Sequence, residues 1–116
     1  MARIVYIGAE RVGLACLKRL VDIGQDIVGI FTAHDNLKDD IADFVAFDEY
    51  VESLNVPFFK IRDSKSPNCI QEIRTLQPDL VVCVSWSQIL SGEILQVAPL
   101  GCVGIHYSLL PVRRGG

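Results

Sequence analysis

Short apolar runs alternate along the chain with longer segments in which apolar residues recur every three or four positions. The continuous runs predict buried strands at residues 3–8, 26–32, 57–61, 79–84 and 102–106. The periodic segments predict helices at residues 12–23, 41–54, 67–76 and 91–97. Residues 33–38 read as a polar loop. The predicted order is therefore β-α-β-α-β-α-β-α-β.

Residues that cap or stop helices support these boundaries. Gly24 is placed to cap the end of the first helix, and Asn55 to end the second. Ser66 is a predicted N-cap with Pro67 at the first helical position. Asp39, Asp40 and Asp43 read as the charged start of the second helix, where carboxylates favour the helix dipole.

Strands that alternate with helices predict an α/β fold, a doubly wound Rossmann-like parallel sheet with right-handed crossovers. With 116 residues, the chain is one domain at most. Half of its residues are hydrophobic and 22% are charged, which is typical of a globular protein. The net charge of −3 gives no general attraction to nucleic acid.

Two kinds of segment are missing from the sequence. The N-terminus lacks the apolar core of a signal peptide, and no apolar run approaches the roughly 18 residues that cross a membrane. We therefore expect a cytoplasmic protein with no membrane partner. Cys16, Cys69, Cys83 and Cys102 form no CxxC pair or zinc-ligand pattern, so we expect structural cysteines and no metal site.

The turn after the first strand carries part of a dinucleotide-binding pattern. Gly8 and Gly13 match the outer glycines of GxGxxG, but Glu10 replaces the middle one, where a carboxylate repels a pyrophosphate. Asp35 lies near the usual distance for a ribose-binding acid. Either the loop binds a nucleotide, or the two glycines permit a tight turn and close helix packing.

Two segments should meet at the carboxyl edge of the sheet, where open α/β sheets bind ligands. Residues 85–90 combine Trp86, Ile89 and Leu90 with polar neighbours. This combination is typical of a binding surface for a flat heterocycle or, as the plainer alternative, of a strand-to-helix loop with a partly buried Trp. His106 ends the last strand and is suited to proton transfer or, as the plainer alternative, to capping that strand. His34 is expected to be solvated.

The segment His106-Tyr-Ser-Leu-Leu-Pro-Val-Arg-Arg-Gly115 closely resembles the signature Asn-x-His-x-Ser-Leu-Leu-Pro of the 10-formyltetrahydrofolate-dependent formyltransferases, with Arg-Gly a few residues on. This family includes formyltransferases of methionyl-tRNA, of glycinamide ribonucleotide and of nucleotide-linked amino sugars. Residues 3–8, 28–32 and 77–82 also resemble it, and the similarity covers the whole chain.

The resemblance implies roles for individual residues. His106 corresponds to the catalytic histidine, which stabilises the oxyanion formed when a substrate amine attacks the formyl carbon. The pterin of 10-formyltetrahydrofolate is implied to lie against the loop Trp86, Ser87, Gln88, Ile89 and Leu90. Substrate contacts are expected from Gly8, Arg11, Ser108 and Arg114. Arg114 is expected to bind a phosphate of the substrate. The alternative is that Arg113 and Arg114 form a solvated loop.

The chain departs from the family pattern in two ways. Gly104 stands where the family has asparagine, and losing an oxyanion donor costs about 2.7–4 kcal/mol of transition-state stabilisation. The family's downstream aspartate is absent, so residues 1–116 are interpreted as the N-terminal part of a formyltransferase-like catalytic domain, incomplete at its C-terminus and inactive alone. Apolar surface left exposed in this way predicts self-association, for example as a homodimer.

Several functional alternatives remain open. The acidic charge favours an amino-sugar nucleotide as acceptor over methionyl-tRNA, although tRNA stays a candidate. A 10-formyltetrahydrofolate hydrolase would use the same histidine with water in place of the amine. A non-catalytic nucleotide-binding module is favoured by Gly104 and by the missing aspartate.

Overall fold

The computed structural model describes residues 1–86 and 90–105. Its strands are β1 (Arg3–Gly8), β2 (Asp26–Ala33), β3 (Phe58–Ile61), β4 (Leu80–Val84) and β5 (Cys102–Ile105). Its helices are α1 (Arg11–Asp22), α2 (Asp48–Glu52), α3 (Pro67–Thr75) and α4 (Gly92–Gln96), with a 3₁₀ helix at Asp35–Asp40. Within the described residues, no helix is long and apolar enough to span a membrane.

All strand pairs are parallel, and the sheet order is β3-β2-β1-β4-β5. Side chains along each strand point alternately to the two faces of the sheet, so both faces carry apolar residues. Helices cover both faces and bury these residues. Val5 and Ile7 pack in one apolar cluster with Ile73 of α3 and Ile94 of α4. Ile4 and Tyr6 pack in the other, which also contains Leu17 of α1 and Val51 of α2. The predicted doubly wound α/β fold is confirmed.

The predicted helix caps are also confirmed. The Ser66 side chain accepts a hydrogen bond from the Cys69 N–H at 3.2 Å, with Pro67 in the first turn. Gly24 follows α1 with φ of 87°, and Asn55 follows the second helix with φ of 56°. Gly and Asn are the residues that most readily adopt this left-handed conformation, which explains why sequence alone located these ends.

The predicted helix over residues 41–54 is wrong for its first half, and α2 spans only Asp48–Glu52. Residues 41–47, here called the crossing segment, run in non-helical conformation, with Asp43 at φ of 60°. Phe44 packs against the α3 and α4 cluster, whereas Phe47 belongs to the α1 and α2 cluster. Their spacing imitates one helix face, but the chain passes from one side of the sheet to the other.

The loop predicted at residues 33–38 also differs. β2 continues to Ala33, and His34 caps the 3₁₀ helix, its Nδ1 accepting from the Asn36 N–H at 3.2 Å. His34 is therefore half-buried and hydrogen-bonded rather than simply solvated. Asp39 and Asp40 close this 3₁₀ helix and do not start α2, so the interpretation as a charged helix start is wrong.

Candidate functional site

The candidate site lies at the carboxyl end of β1 and β4, where the winding of the sheet reverses. The chain builds β2 and β3 on one side of β1, and then β4 and β5 on the other. Ligands of open α/β sheets bind at the carboxyl ends beside such a switch point. Gly8 lies opposite Val84, and Val84 lies opposite Ile105, so three neighbouring strands end at the same level.

The end of β1 is closely packed at Gly8. A Cβ atom on Gly8 would lie 3.3 Å from Tyr6 Cε2 and 3.4 Å from the Val84 carbonyl oxygen. A Cβ atom on Gly13 would lie 3.5 Å from the same oxygen, which is ordinary contact. Neither glycine has a positive φ. Close helix packing is thus confirmed for this loop, whereas a turn that only glycine can form is not needed.

The crossing segment hydrogen-bonds to the β1 loop. The Arg11 N–H donates to the Asp43 carbonyl at 3.0 Å, and the Val45 N–H donates to the Ala9 carbonyl at 3.1 Å. The exposed Arg11 side chain reaches Asp43 Oδ1 at 3.2 Å. Glu10 and the crossing segment therefore stand where a dinucleotide pyrophosphate would approach the backbone, which disfavours the nucleotide-binding interpretation of Gly8 and Gly13.

Asp35, the proposed ribose-binding acid of that interpretation, is engaged elsewhere. The Lys60 ammonium contacts Asp48 Oδ2 at 2.6 Å and Asp35 Oδ2 at 3.1 Å. These hydrogen bonds, the one to Asp48 first, raise the pKa of Lys60. The cluster joins the 3₁₀ helix, α2 and β3, so its evident role is structural.

The end of β4 has an unusual local structure at Ser85 and Trp86. Ser85 has φ of 49°, and its N–H donates to the Ile105 carbonyl at 2.7 Å. Ser85 is 6% exposed and Trp86 is 9% exposed. Within the described residues, neither Ser85 Oγ nor Trp86 Nε1 has a hydrogen-bond partner. Leaving such a buried group unpaired costs about 1–3 kcal/mol.

Four of the predicted site residues, Gly8, Arg11, Trp86 and Leu90, lie within the described ranges. Trp86 and the half-buried Leu90 pack against the same apolar cluster, beside α4. Gly8 and Arg11 lie at the end of β1, across the switch point from Trp86. His106, Ser87, Gln88, Ile89, Ser108 and Arg114 lie outside the described residues.

Position 104, where the family has asparagine, is described. Gly104 lies in β5 opposite Cys83 and is exposed. No described atom would lie within 4 Å of a Cβ atom there. A side chain at this position would therefore meet no steric barrier in the described part of the chain.

The cysteines are free, as the sequence predicts, and two are buried in the core. Burial raises the pKa of Cys83 to about 12 and that of Cys69 to about 11. Such thiols stay protonated and unreactive near neutral pH. Among residues 1–86 and 90–105, no group of three or more His, Cys, Asp or Glu side chains is arranged to hold a metal ion.

Sequence reasoning placed Ser85 in the candidate loop of residues 85–90 but missed its backbone conformation, and it missed the crossing segment as a part of this site. Serine has no marked preference for positive φ, so nothing in the sequence indicated the conformation of Ser85. Asp43 tolerates the left-handed region, as aspartate often does, but it stood inside an apparently helical pattern.

Comparison with known proteins decides the family. The model of the family described as formyl transferase matches residues 2–116. The chain belongs to this family. Its fold and its resemblance at residues 106–115 therefore agree with an independent comparison over nearly the whole sequence.

Curated relatives carry the name methionyl-tRNA formyltransferase. The chain is 36% identical to that of Alkaliphilus oremlandii over 115 residues, which cover 97% of this chain and 37% of the relative. It is 32% identical to that of Clostridioides difficile over 97% of this chain and 37% of the relative. For Trichlorobacter lovleyi the identity is 33%, over 97% of this chain and 36% of the relative. The chain thus spans little more than a third of their length.

Proposed function

We propose that this chain is the N-terminal part of a catalytic domain that transfers a formyl group from 10-formyltetrahydrofolate to a primary amine. The observation that carries the proposal is the family match over residues 2–116, which includes the segment around His106. The convergence of β1, β4 and β5 at one switch point supports it, because that edge is where such a sheet binds ligands.

The proposed donor pocket is the loop after β4. The pterin lies against Trp86, Ser87, Gln88, Ile89 and Leu90, with apolar side chains as walls and backbone amides at its polar edge. The burial of Trp86 and Leu90 against one apolar cluster supports this assignment. Gly8, Arg11, Ser108 and Arg114 are the proposed acceptor-side residues.

His106 is the proposed catalytic residue. The amine attacks the formyl carbon, and the tetrahedral intermediate that forms carries an oxyanion. An imidazole directed at that oxygen stabilises the developing charge, a contribution that is large in acyl transfer. The proton lost by the attacking amine passes to the folate nitrogen, the bond between that nitrogen and the formyl carbon breaks, the carbonyl re-forms, and tetrahydrofolate leaves.

Methionyl-tRNA is the proposed acceptor, because the relatives are named for it. An amino-sugar nucleotide is the second candidate, favoured by the net charge of −3. Formate release without an acceptor would instead indicate a hydrolase. Folate binding without turnover would indicate a non-catalytic module, which Gly104 favours.

The test is formyl transfer by the protein expressed from its complete reading frame. His106→Ala should lower the rate with methionyl-tRNA by about 10²-fold or more, since it removes an oxyanion-stabilising group. His34→Ala is the matched control, because the described hydrogen bonds of the His34 side chain are with Asn36 at the start of the 3₁₀ helix, and it should leave the rate unchanged. Unchanged transfer by the His106 variant would remove His106 from the mechanism.

We propose that the isolated 116-residue chain self-associates. Val103 and Ile105 of β5 are 46% and 48% exposed, and Leu100 beside them is also exposed. Exposed apolar side chains of this kind promote association. A monomeric mass by light scattering would contradict this proposal.

A further inference from the structure

We propose that Asp43 is a positioning residue, which holds the Arg11 side chain ready to bind a phosphate group of the amine acceptor. The acceptor itself rests on the proposed function. The pairing of the two residues rests on contacts between the crossing segment and the start of α1, where residues 32 positions apart in the sequence meet.

The first observation is that Asp43 holds Arg11 at two points. Its carbonyl oxygen accepts a hydrogen bond from the Arg11 backbone N–H at 3.0 Å, and its Oδ1 accepts one from Arg11 Nε at 3.2 Å. Aspartate tolerates the φ of 60° found at Asp43, and the hydrogen bond from the Val45 N–H to the Ala9 carbonyl holds the neighbouring backbone. Both the backbone and the side chain of Asp43 therefore set the direction of the guanidinium.

The second observation is that stability does not account for this pair. The side chains of Arg11 and Asp43 are 73% and 53% exposed, and exposed ion pairs contribute little to the free energy of unfolding. A long side chain that is already ordered, however, loses less entropy when it binds a ligand. We therefore expect the pair to act on binding rather than on folding.

The third observation is the position of Arg11 and the donors that it offers. Arg11 begins α1 shortly after Gly8 ends β1 at the switch point. The crossing segment already accepts the Arg11 backbone N–H, so an anion at this point would meet the guanidinium instead. Within the described residues, the guanidinium hydrogen-bonds to Asp43 through Nε, so the N–H groups of its two Nη atoms remain for a ligand.

A phosphate group fits these donors. The planar guanidinium can bind two phosphate oxygens at once, a geometry that lysine does not reproduce. Methionyl-tRNA and amino-sugar nucleotides both carry phosphates, so both candidate acceptors present this chemistry. Arg11 then contributes to the affinity for the acceptor, and Asp43 contributes through Arg11.

The experiment measures kcat and KM for the acceptor at saturating formyl donor, with protein expressed from its complete reading frame. Methionyl-tRNA and a uridine diphosphate amino sugar are compared, and the acceptor whose KM changes supplies the phosphate. Asp43→Gly removes the carboxylate and tolerates the positive φ. Because Arg11 then has to be ordered on binding, we expect KM to rise roughly threefold to tenfold, with kcat and the thermal unfolding midpoint unchanged.

Two further variants separate positioning from charge. Asp43→Asn keeps an oxygen that accepts from Nε but loses the charge, so positioning predicts a KM close to that of the unaltered protein. Loss of a negative charge would by itself lower the KM of a polyanionic acceptor in both Asp43 variants. Arg11→Ala should raise KM, and adding Asp43→Gly to it should raise KM no further, because Asp43 acts through Arg11.

Glu93→Gln is the matched control. Glu93 pairs with Arg74 at 3.1 Å, and the two side chains are 62% and 47% exposed, much like those of the proposed pair. This pair joins α4 to α3 instead of the crossing segment to α1. Loss of its carboxylate should therefore leave the KM of the acceptor unchanged.

The outcomes separate this inference from the proposed function. An unaltered protein that transfers formyl groups to neither acceptor contradicts the proposed function, and the role of Asp43 falls with it. Transfer with a KM that is unchanged or lower in Asp43→Gly overturns this inference alone. So does an equal rise in KM when Asp43→Gly is combined with Arg11→Ala. A lower unfolding midpoint for Asp43→Gly also overturns it, because the pair would then stabilise the fold itself.

Discussion

Two residues just after helices or strands, Asn55 and Ser85, adopt left-handed backbone conformations, but the sequence predicts only one of them. Asn55 follows α2 in the left-handed region that asparagine tolerates, and the sequence predicts that the helix stops before it. Ser85 adopts the same region without any sequence signal. The reason is that its conformation comes from the hydrogen bond to Ile105 and from the packing of Trp86, both of which are tertiary contacts.

The substitution Gly104→Asn tests what a single side chain contributes to the reaction. The substitution introduces the family's side-chain amide at an exposed position where no described atom lies within 4 Å of a new Cβ. If the missing donor limits the reaction, formyl transfer should rise by up to about 10²-fold, because one oxyanion donor is worth that much. The measurement is kcat with methionyl-tRNA, the proposed acceptor.

Gly104→Ala serves as its control, since it adds a Cβ without a donor and should leave kcat unchanged. An Asn variant that folds normally but transfers formyl groups no faster would show that position 104 does not limit the rate.

Helices were predicted well wherever their apolar residues face one cluster. α1 and α3 meet this condition, and their positions and caps agree with the sequence. The crossing segment violates it, because Phe44 and Phe47 pack on opposite sides of the sheet. Periodicity predicts which residues are buried but not which residues they pack against. A segment that crosses the edge of the sheet was therefore mistaken for a helix.

The packing of α1 against the sheet leads to opposite effects for two glycine substitutions. Gly8→Ala should lower the free energy of unfolding by about 1–3 kcal/mol, because its Cβ would press on Tyr6 and on the Val84 carbonyl. Gly13→Ala should raise it by up to about 1 kcal/mol, because the methyl group fits and alanine favours the helix. Urea unfolding of the two variants measures both changes. Destabilisation of similar size in both would show that Gly13 is packed as tightly as Gly8.

At the scale of the whole molecule, the sheet buries titratable side chains in its core. Tyr6, Cys69 and Cys83 are buried on both sides of the sheet. Burial raises the pKa of each, to about 11 for Cys69 and about 12 for Cys83. Tyr6 also donates a hydrogen bond to the Gly13 carbonyl at 2.6 Å, which joins β1 to α1.

Stability is therefore expected to fall at alkaline pH. The folded thiols keep their protons when those of the unfolded chain are released above the ordinary pKa of 9.0. Stability is fully present below that pH and declines as pH rises towards 11, by up to about 1.4 kcal/mol per pH unit for each thiol. Urea unfolding between pH 7 and pH 10.5 tests this. Cys83→Ala should be less stable at neutral pH but less sensitive to alkali, and an unchanged pH slope would contradict the assignment.

The sequence by itself determined the order of elements, the fold class, the helix caps and the family, because these depend on local pattern and on a specific motif. It also indicated that Trp86 and Leu90 belong near one sheet edge. Only the tertiary structure decided the path of the crossing segment, the contacts that engage Asp35, and the unpaired groups of Ser85 and Trp86. These features depend on contacts between residues that are distant in the sequence, and local periodicity does not predict such contacts.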